Sequence, residues 1–303
     1  MSRVLVTGAT GFIGRRAVGL LCEQGHVVHA VARTPGAPAP GVTWHTADLL
    51  DPAAANRVAM TAGASHLLHF AWYAVPGKFW TAAENERWVD ATLHLLGAFA
   101  TEGGVRAVMA GTCAEYRWDS ELLQELSSPI EPSTLYGRCK AATLSDATRL
   151  AAERGVSLAW GRIFFMYGPA EHPSRLVASV ARGLLRGQRV PTTEGSQVRD
   201  FLHVDDVAGA FERLLDSRVE GPVNIASGLP STVREIVTLT AAAAGGLDRV
   251  DFGALPMRAA DPARILGNPA RLRDEVGFRP QIPLAEGLGA TVEWWREQIS
   301  DQA

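Results

Sequence analysis

Residues 1–14 read MSRVLVTGATGFIG. Val4, Leu5 and Val6 form a short apolar run that breaks into Thr7-Gly8-Ala9-Thr10-Gly11-Phe12-Ile13-Gly14, and an apolar helical pattern follows directly. This is a strand, a glycine turn and a helix start. Glycine at 8 permits the tight turn, glycine at 11 lets a pyrophosphate approach the backbone, and glycine at 14 allows close helix–strand packing. The helix start adds unpaired N–H groups and the positive end of its dipole. A glycine triplet alone is weak evidence. Set between a strand and a helix, it reads as a dinucleotide-binding turn.

Working outward, residues 26–32, 42–47, 66–72, 105–112 and 156–163 read as further strands. Residues 84–102 and 133–154 read as long helices, the second closed by Gly155. Continuous apolar strands alternating with helices predict a parallel sheet covered on both faces. Right-handed crossovers make this a doubly wound α/β fold of the Rossmann type. The pattern loosens after Tyr167-Gly168-Pro169, with helices near 175–187, 205–216, 233–243 and 285–298. This part reads as a smaller, mixed α/β substrate-binding lobe. The expected division is 1–166 for the dinucleotide domain, with 201–218 packing on it, and 167–200 plus 219–303 for the lobe.

The 303 residues suffice for one large core or two modest ones. A formal charge of −3 provides no basic excess for nucleic acid or an anionic membrane. No apolar run is long enough to cross a bilayer, and no basic-then-apolar leader precedes Val4, so a cytoplasmic location is expected. Cys22, Cys113 and Cys139 lack the spacing of a zinc site or a disulfide framework. No metal site is expected.

Tyr136 and Lys140 lie four apart in the helix predicted after Ser133, on one face. Tyrosine ordinarily titrates near pH 10, and a neighbouring ammonium brings it towards working range for proton exchange. An isolated Tyr-x-x-x-Lys is equally a surface pair. Thr112, however, ends the fifth strand, at the carboxyl edge where open α/β sheets bind ligands. A hydroxyl there is placed to hold a carbonyl beside Tyr136.

Together, Thr7-Gly8-x-x-Gly11-Phe12-Ile13-Gly14, Thr112 and Tyr136-x-x-x-Lys140 resemble the extended short-chain dehydrogenase/reductases. More narrowly they are similar to the NAD(P)-dependent epimerase/dehydratase group that acts on nucleotide sugars. Asp48-Leu49, His69-Phe70-Ala71, the stretch from Arg162 to Pro169 and the stretch Arg199-Asp200-Phe201-Leu202-His203 continue the resemblance along the chain. It implies Thr112, Tyr136 and Lys140 as the catalytic set. It implies Gly8, Thr10, Gly11, Phe12, Ile13, Arg33, Asp48, Leu49, Phe70, Ala71 and Phe164 at the cofactor, joined by Tyr136 and Lys140. Arg199 and Arg258 would bind a nucleotide diphosphate, for which guanidinium forks are well shaped. The resemblance also implies a homodimer through the helices at 84–102 and 133–154.

Three departures narrow the reaction. First, the second strand ends Val31-Ala32-Arg33, where NAD-preferring relatives carry an acidic residue. Arg33 can pair with a 2′-phosphate, and Arg15 and Arg16 lie close in sequence, which favours NADP(H) over NAD(H) and a reductase over an epimerase. Second, Cys113 and Ala114 stand where 4,6-dehydratases place an Asp-Glu pair, and Glu115 is displaced by one. Cys113 follows Thr112 directly and so reads as a packing contact at the substrate side, not an acid or base. Third, Trp88 replaces the family Asn in Trp88-Val89-Asp90-Ala91-Thr92. The aromatic loop from Trp72 to Trp80 either floors a sugar or base or packs beneath a lid. His69 and His203 read as structural hydrogen-bonders. The reading is an NADPH-dependent ketoreductase of a nucleoside-diphosphate 4-keto-6-deoxy sugar. The alternatives are an NAD-dependent nucleotide-sugar 4-epimerase and a reductase of a non-nucleotide carbonyl.

Overall fold

The structure is a computed structural model that describes residues 1–257 and 261–300. In chain order the first half runs β1 (Arg3–Thr7), α1 (Gly14–Glu23), β2 (Val27–Ala32), β3 (Val42–Thr46), α2 (Pro52–Ala62), β4 (His66–His69), α3 (Glu84–Thr101), β5 (Arg106–Thr112), α4 (Leu135–Arg154) and β6 (Ser157–Ile163). Then come β7 (Phe165–Tyr167), α5 (Leu176–Leu185), β8 (Val190–Pro191), β9 (Val198–His203), α6 (Val204–Asp216), β10 (Gly221–Ile225), β11 (Pro230–Thr232) and α7 (Val233–Ala244). The chain closes with β12 (Val250–Asp251), β13 (Arg264–Ile265), α8 (Ala270–Asp274) and α9 (Leu284–Ser300).

Seven strands form one sheet in the order β10-β6-β5-β4-β1-β2-β3, and every pairing is parallel. All seven residues of β5 are buried, as expected of a strand covered on both faces. Ala17, Val18 and Leu21 of α1 and Val207, Phe211 and Leu214 of α6 cover one face. Val58 of α2, Leu95 and Phe99 of α3 and Ala147 and Ala151 of α4 cover the other. This is the Rossmann-type fold read from the sequence. The strand order reverses between β1 and β4, which opens a crevice at their carboxyl ends.

The expected lobe boundary at 219 does not hold for Gly221–Ile225, which add the seventh strand to the central sheet beside β6. The smaller sheet carries β11, β9 and β13, with β7 also on β9, and α5, α7 and α9 pack together against it. Two buried aspartates tie the parts. Asp200 accepts hydrogen bonds from Ser227 N–H and Oγ–H and from the N–H groups of Gly228 and Gly267. Asp206 accepts those of Gln281 and Ile282.

Candidate active site

The glycine turn is shaped by close backbone contacts. Gly8 has φ +64°, and a Cβ there would lie 2.9 Å from the Ala71 nitrogen. A Cβ on Gly14 would lie 2.1 Å from the Gly8 carbonyl oxygen. α1 starts from Ile13 with no side chain capping it, while the N–H groups of Arg15 and Arg16 donate to the carbonyls of Gly11 and Ile13; the positive end of the helix dipole lies at the glycine turn. Over this turn runs a cleft of about 770 Å³, lined by Gly8, Thr10, Gly11, Phe12, Ile13, Arg33, Asp48, Leu49, Phe70, Ala71 and Trp72. A long cleft at the strand crossover, floored by glycines and opening on a helix start, fits a dinucleotide. At its far end Arg33 is exposed beside the buried Ala32, and Asp48 Oδ1 accepts the Leu50 N–H at 3.0 Å. Arg15 and Arg16 are already engaged, Arg15 donating to the Ala170 carbonyl at 2.7 Å and Arg16 pairing with Asp205 at 3.1 Å.

Thr112 ends β5 and caps a 3-10 turn, Cys113–Glu115: its Oγ1 accepts the Ala114 N–H at 3.2 Å. Glu115 reaches back, Oε1 accepting the Thr112 N–H at 2.9 Å. α4 starts after Thr134, whose Oγ1 accepts the Gly137 N–H at 3.0 Å. A Cβ at Gly137 would lie 2.2 Å from the Ala114 carbonyl oxygen, so only glycine lets α4 dock here. That docking sets the Tyr136 phenol on the Thr112 side of the β5 edge. The Tyr136 ring packs edge-on against Phe79 at 4.9 Å and Trp80 at 6.0 Å. Burial pushes the phenol pKa up, and the Thr112 hydrogen bond pulls the other way. One turn on, Lys140 is buried; its Nζ donates to the Ala110 carbonyl at 2.7 Å and lies 3.7 Å from the Trp72 ring centroid. Burial brings the ammonium down to about 7, with Glu115 opposing. Thr112, Tyr136 and Lys140 thus converge at the β5 edge, and Trp72 links them to the cleft.

Other expected residues sit apart. Phe164 and Cys113 pack with Tyr116, Leu123, Ala226 and Ile265 in an apolar cluster and do not line the cleft. Burial pushes the Cys113 thiol up to about 12, with Asp200 and Glu115 adding to it. Arg199 is buried, its guanidinium donating to the Val198 carbonyl at 2.8 Å and to Asp261 at 2.6 Å. Arg258 lies outside the described residues. His69 bridges the Thr7 and Thr92 hydroxyls at 2.7 and 3.0 Å, and burial lowers its pKa to about 3. His203 accepts the Asp205 N–H at the start of α6. Glu115 is a residue whose place the sequence does not reveal: its second oxygen takes the Arg162 Nε–H at 2.7 Å, 47 positions along the chain.

Among the described residues no helix is long and apolar enough to cross a membrane. Residues 4–226 match the NAD dependent epimerase/dehydratase family. The chain is 30% identical to a dTDP-glucose 4,6-dehydratase of Streptomyces griseus, over 99% of this chain and 95% of that one. It is 28% identical to a GDP-6-deoxy-D-mannose reductase of Pseudomonas aeruginosa, over 99% of both. The fold superposes on a crystal structure of Thermus thermophilus UDP-glucose 4-epimerase with NAD at a TM-score of 0.85, with 28% identity over 97% of this chain and 99% of that one. With the glycine turn, Thr112, Tyr136 and Lys140 in place, the chain belongs to the NAD dependent epimerase/dehydratase family.

Proposed function

We propose that this protein is an NADPH-dependent ketoreductase acting on a nucleoside-diphosphate 4-keto-6-deoxy sugar. The observation that carries the reading is Arg33, exposed on the cleft rim beside Ala32, where an acidic side chain would oppose a 2′-phosphate. A reductase consumes reduced cofactor at each turnover, whereas a 4-epimerase regenerates its own. The similarity to a GDP-6-deoxy-D-mannose reductase supports the substrate class.

The cleft residues and Lys140 would hold the dinucleotide, which when bound supplies the hydride for the ketone carbon. Thr112 orients the ketone oxygen, and Tyr136 transfers its phenolic proton to that oxygen, so that the C=O becomes an alcohol. Solvent then returns a proton to Tyr136. Lys140 holds positive charge near the reacting centre, which favours the phenolate left behind. Arg199, its fork set by Asp261, contacts the diphosphate with its remaining N–H groups, and Trp72 borders the sugar. Two copies associate through α3 and α4.

A second reading, a 4-epimerase with retained NAD, is favoured by the full-length similarity to the Thermus thermophilus epimerase. The absorbance spectrum of purified protein, before and after denaturation, separates the two. A reductase releases little nucleotide; stoichiometric NAD supports the epimerase.

A further inference from the structure

The contact between Lys140 and Trp72 has no part in the proposed hydride and proton transfers. An ammonium has three hydrogens, whereas a neutral amine has two and a lone pair. One Lys140 hydrogen goes to the Ala110 carbonyl at 2.7 Å. The nitrogen also sits 3.7 Å from the Trp72 centroid, well inside the range of a cation–π contact, with Trp160 farther off at 5.6 Å. Around it stand the Glu115 carboxylate and the buried neutral imidazole of His69.

The indole is fixed in place. Its Nε1–H donates to Asn85 Oδ1 at 2.8 Å. Asn85 is fully buried and spends its amide hydrogens on the carbonyls of Phe79 and Ala82, at 2.7 and 2.8 Å. Turning the indole would strand a buried amide oxygen, which is costly.

We propose that Trp72 is a positioning residue for Lys140: its indole, pinned through Asn85, presents a ring face on which the ammonium is held. The face of the ring is negative, so it attracts an ammonium and repels an amine lone pair. It thereby keeps charged a lysine that burial drives towards neutrality, and leaves the third hydrogen for a ligand. The importance of that charge rests on the reading of Lys140 as the partner of Tyr136; the contact itself does not.

The chain has two lysines, Lys78 and Lys140, and Lys78 is exposed. Full-length protein labelled with ¹³C and ¹⁵N in lysine therefore gives two side-chain signals by NMR, which Lys78→Arg assigns. The expected result is a Lys140 Hε resonance shifted upfield by the indole. Its titration midpoint should fall by about one pH unit in Trp72→Leu and by about half a unit in Trp72→Phe. Trp72→Phe also serves should the leucine variant fail to fold. A space-filling role predicts an unmoved midpoint, and an unmoved Lys140 midpoint in the folded variants overturns the proposal. Since the titration needs no turnover, it is judged separately from the ketoreductase reading. That reading fails if Tyr136→Phe keeps full activity.

Discussion

Glu115 stands directly behind Thr112, its Oε1 accepting the Thr112 backbone N–H at 2.9 Å while its Oε2 accepts the Arg162 Nε–H at 2.7 Å. Neither Glu115 nor Arg162 is more than 2% exposed, and Arg162 also donates to the Tyr116 hydroxyl at 2.9 Å. Removing one partner of a buried pair leaves the other charged and uncompensated. Glu115→Ala should therefore cost about 3–5 kcal/mol in urea unfolding, and Glu115→Gln, which retains an acceptor, clearly less. An alanine variant as stable as the parent contradicts this account of the β5 edge.

Glu171 is buried, with Arg175 Nε 3.5 Å from Oε1, and among the described residues Oε2 has no hydrogen-bond partner. Burial pushes its carboxyl up to about 7 in spite of Arg175. A pKa raised on folding favours the protonated form, so its contribution is present below the ordinary carboxylate range and lost as pH rises through about 7. Glu171→Gln should match the parent near pH 4 and exceed its stability by on the order of 1–3 kcal/mol at pH 8. Thermal unfolding at the two pH values checks this. An equal difference at both ends contradicts it.

Arg33 has an exposed guanidinium on the cleft rim. If it pairs with a 2′-phosphate, Arg33→Ala should raise the Michaelis constant for NADPH by about 10-fold or more and leave that for NADH nearly unchanged. Steady-state kinetics with both cofactors decides the matter. Unaltered cofactor preference returns the epimerase to first place.

Tyr136 is the proton donor in the proposed reaction. Tyr136→Phe should lower kcat by about 10²–10⁴-fold, while NADPH binding, followed by cofactor fluorescence, stays within a few fold of the parent. Loss of both together would point to a collapsed site, not a missing proton.

Much of the fold is legible because fully buried parallel strands leave continuous apolar runs, as in β1 and β5, and because the glycine turn is local. Helix α2 is not read from the sequence, although Asp51 Oδ1 caps it through Ala53 N–H and Pro52 opens it. Its alanine-rich body gives a weak apolar stripe. Strand β10 is also passed over, since the five residues Gly221–Ile225 become a strand only by pairing with β6, over 50 positions earlier. Within the site, the local motifs come through: Tyr136 with Lys140 on one helix face, and the cleft glycines. Contacts between distant segments do not. The Glu115–Arg162 pair, the Arg199–Asp261 pair and the Trp72–Lys140 stacking each join residues more than 40 positions apart, and no spacing rule encodes them.

The most direct test of the central claim is to incubate the purified protein with NADPH and a panel of nucleoside-diphosphate 4-keto-6-deoxy sugars. The absorbance of the reduced nicotinamide and the sugar product are then followed together. One member of the panel should consume NADPH mole for mole as its ketone becomes an alcohol, and Tyr136→Phe should abolish the signal. No NADPH consumption with any keto sugar, alongside inversion at C4 of an intact nucleotide sugar without added cofactor, would contradict that claim.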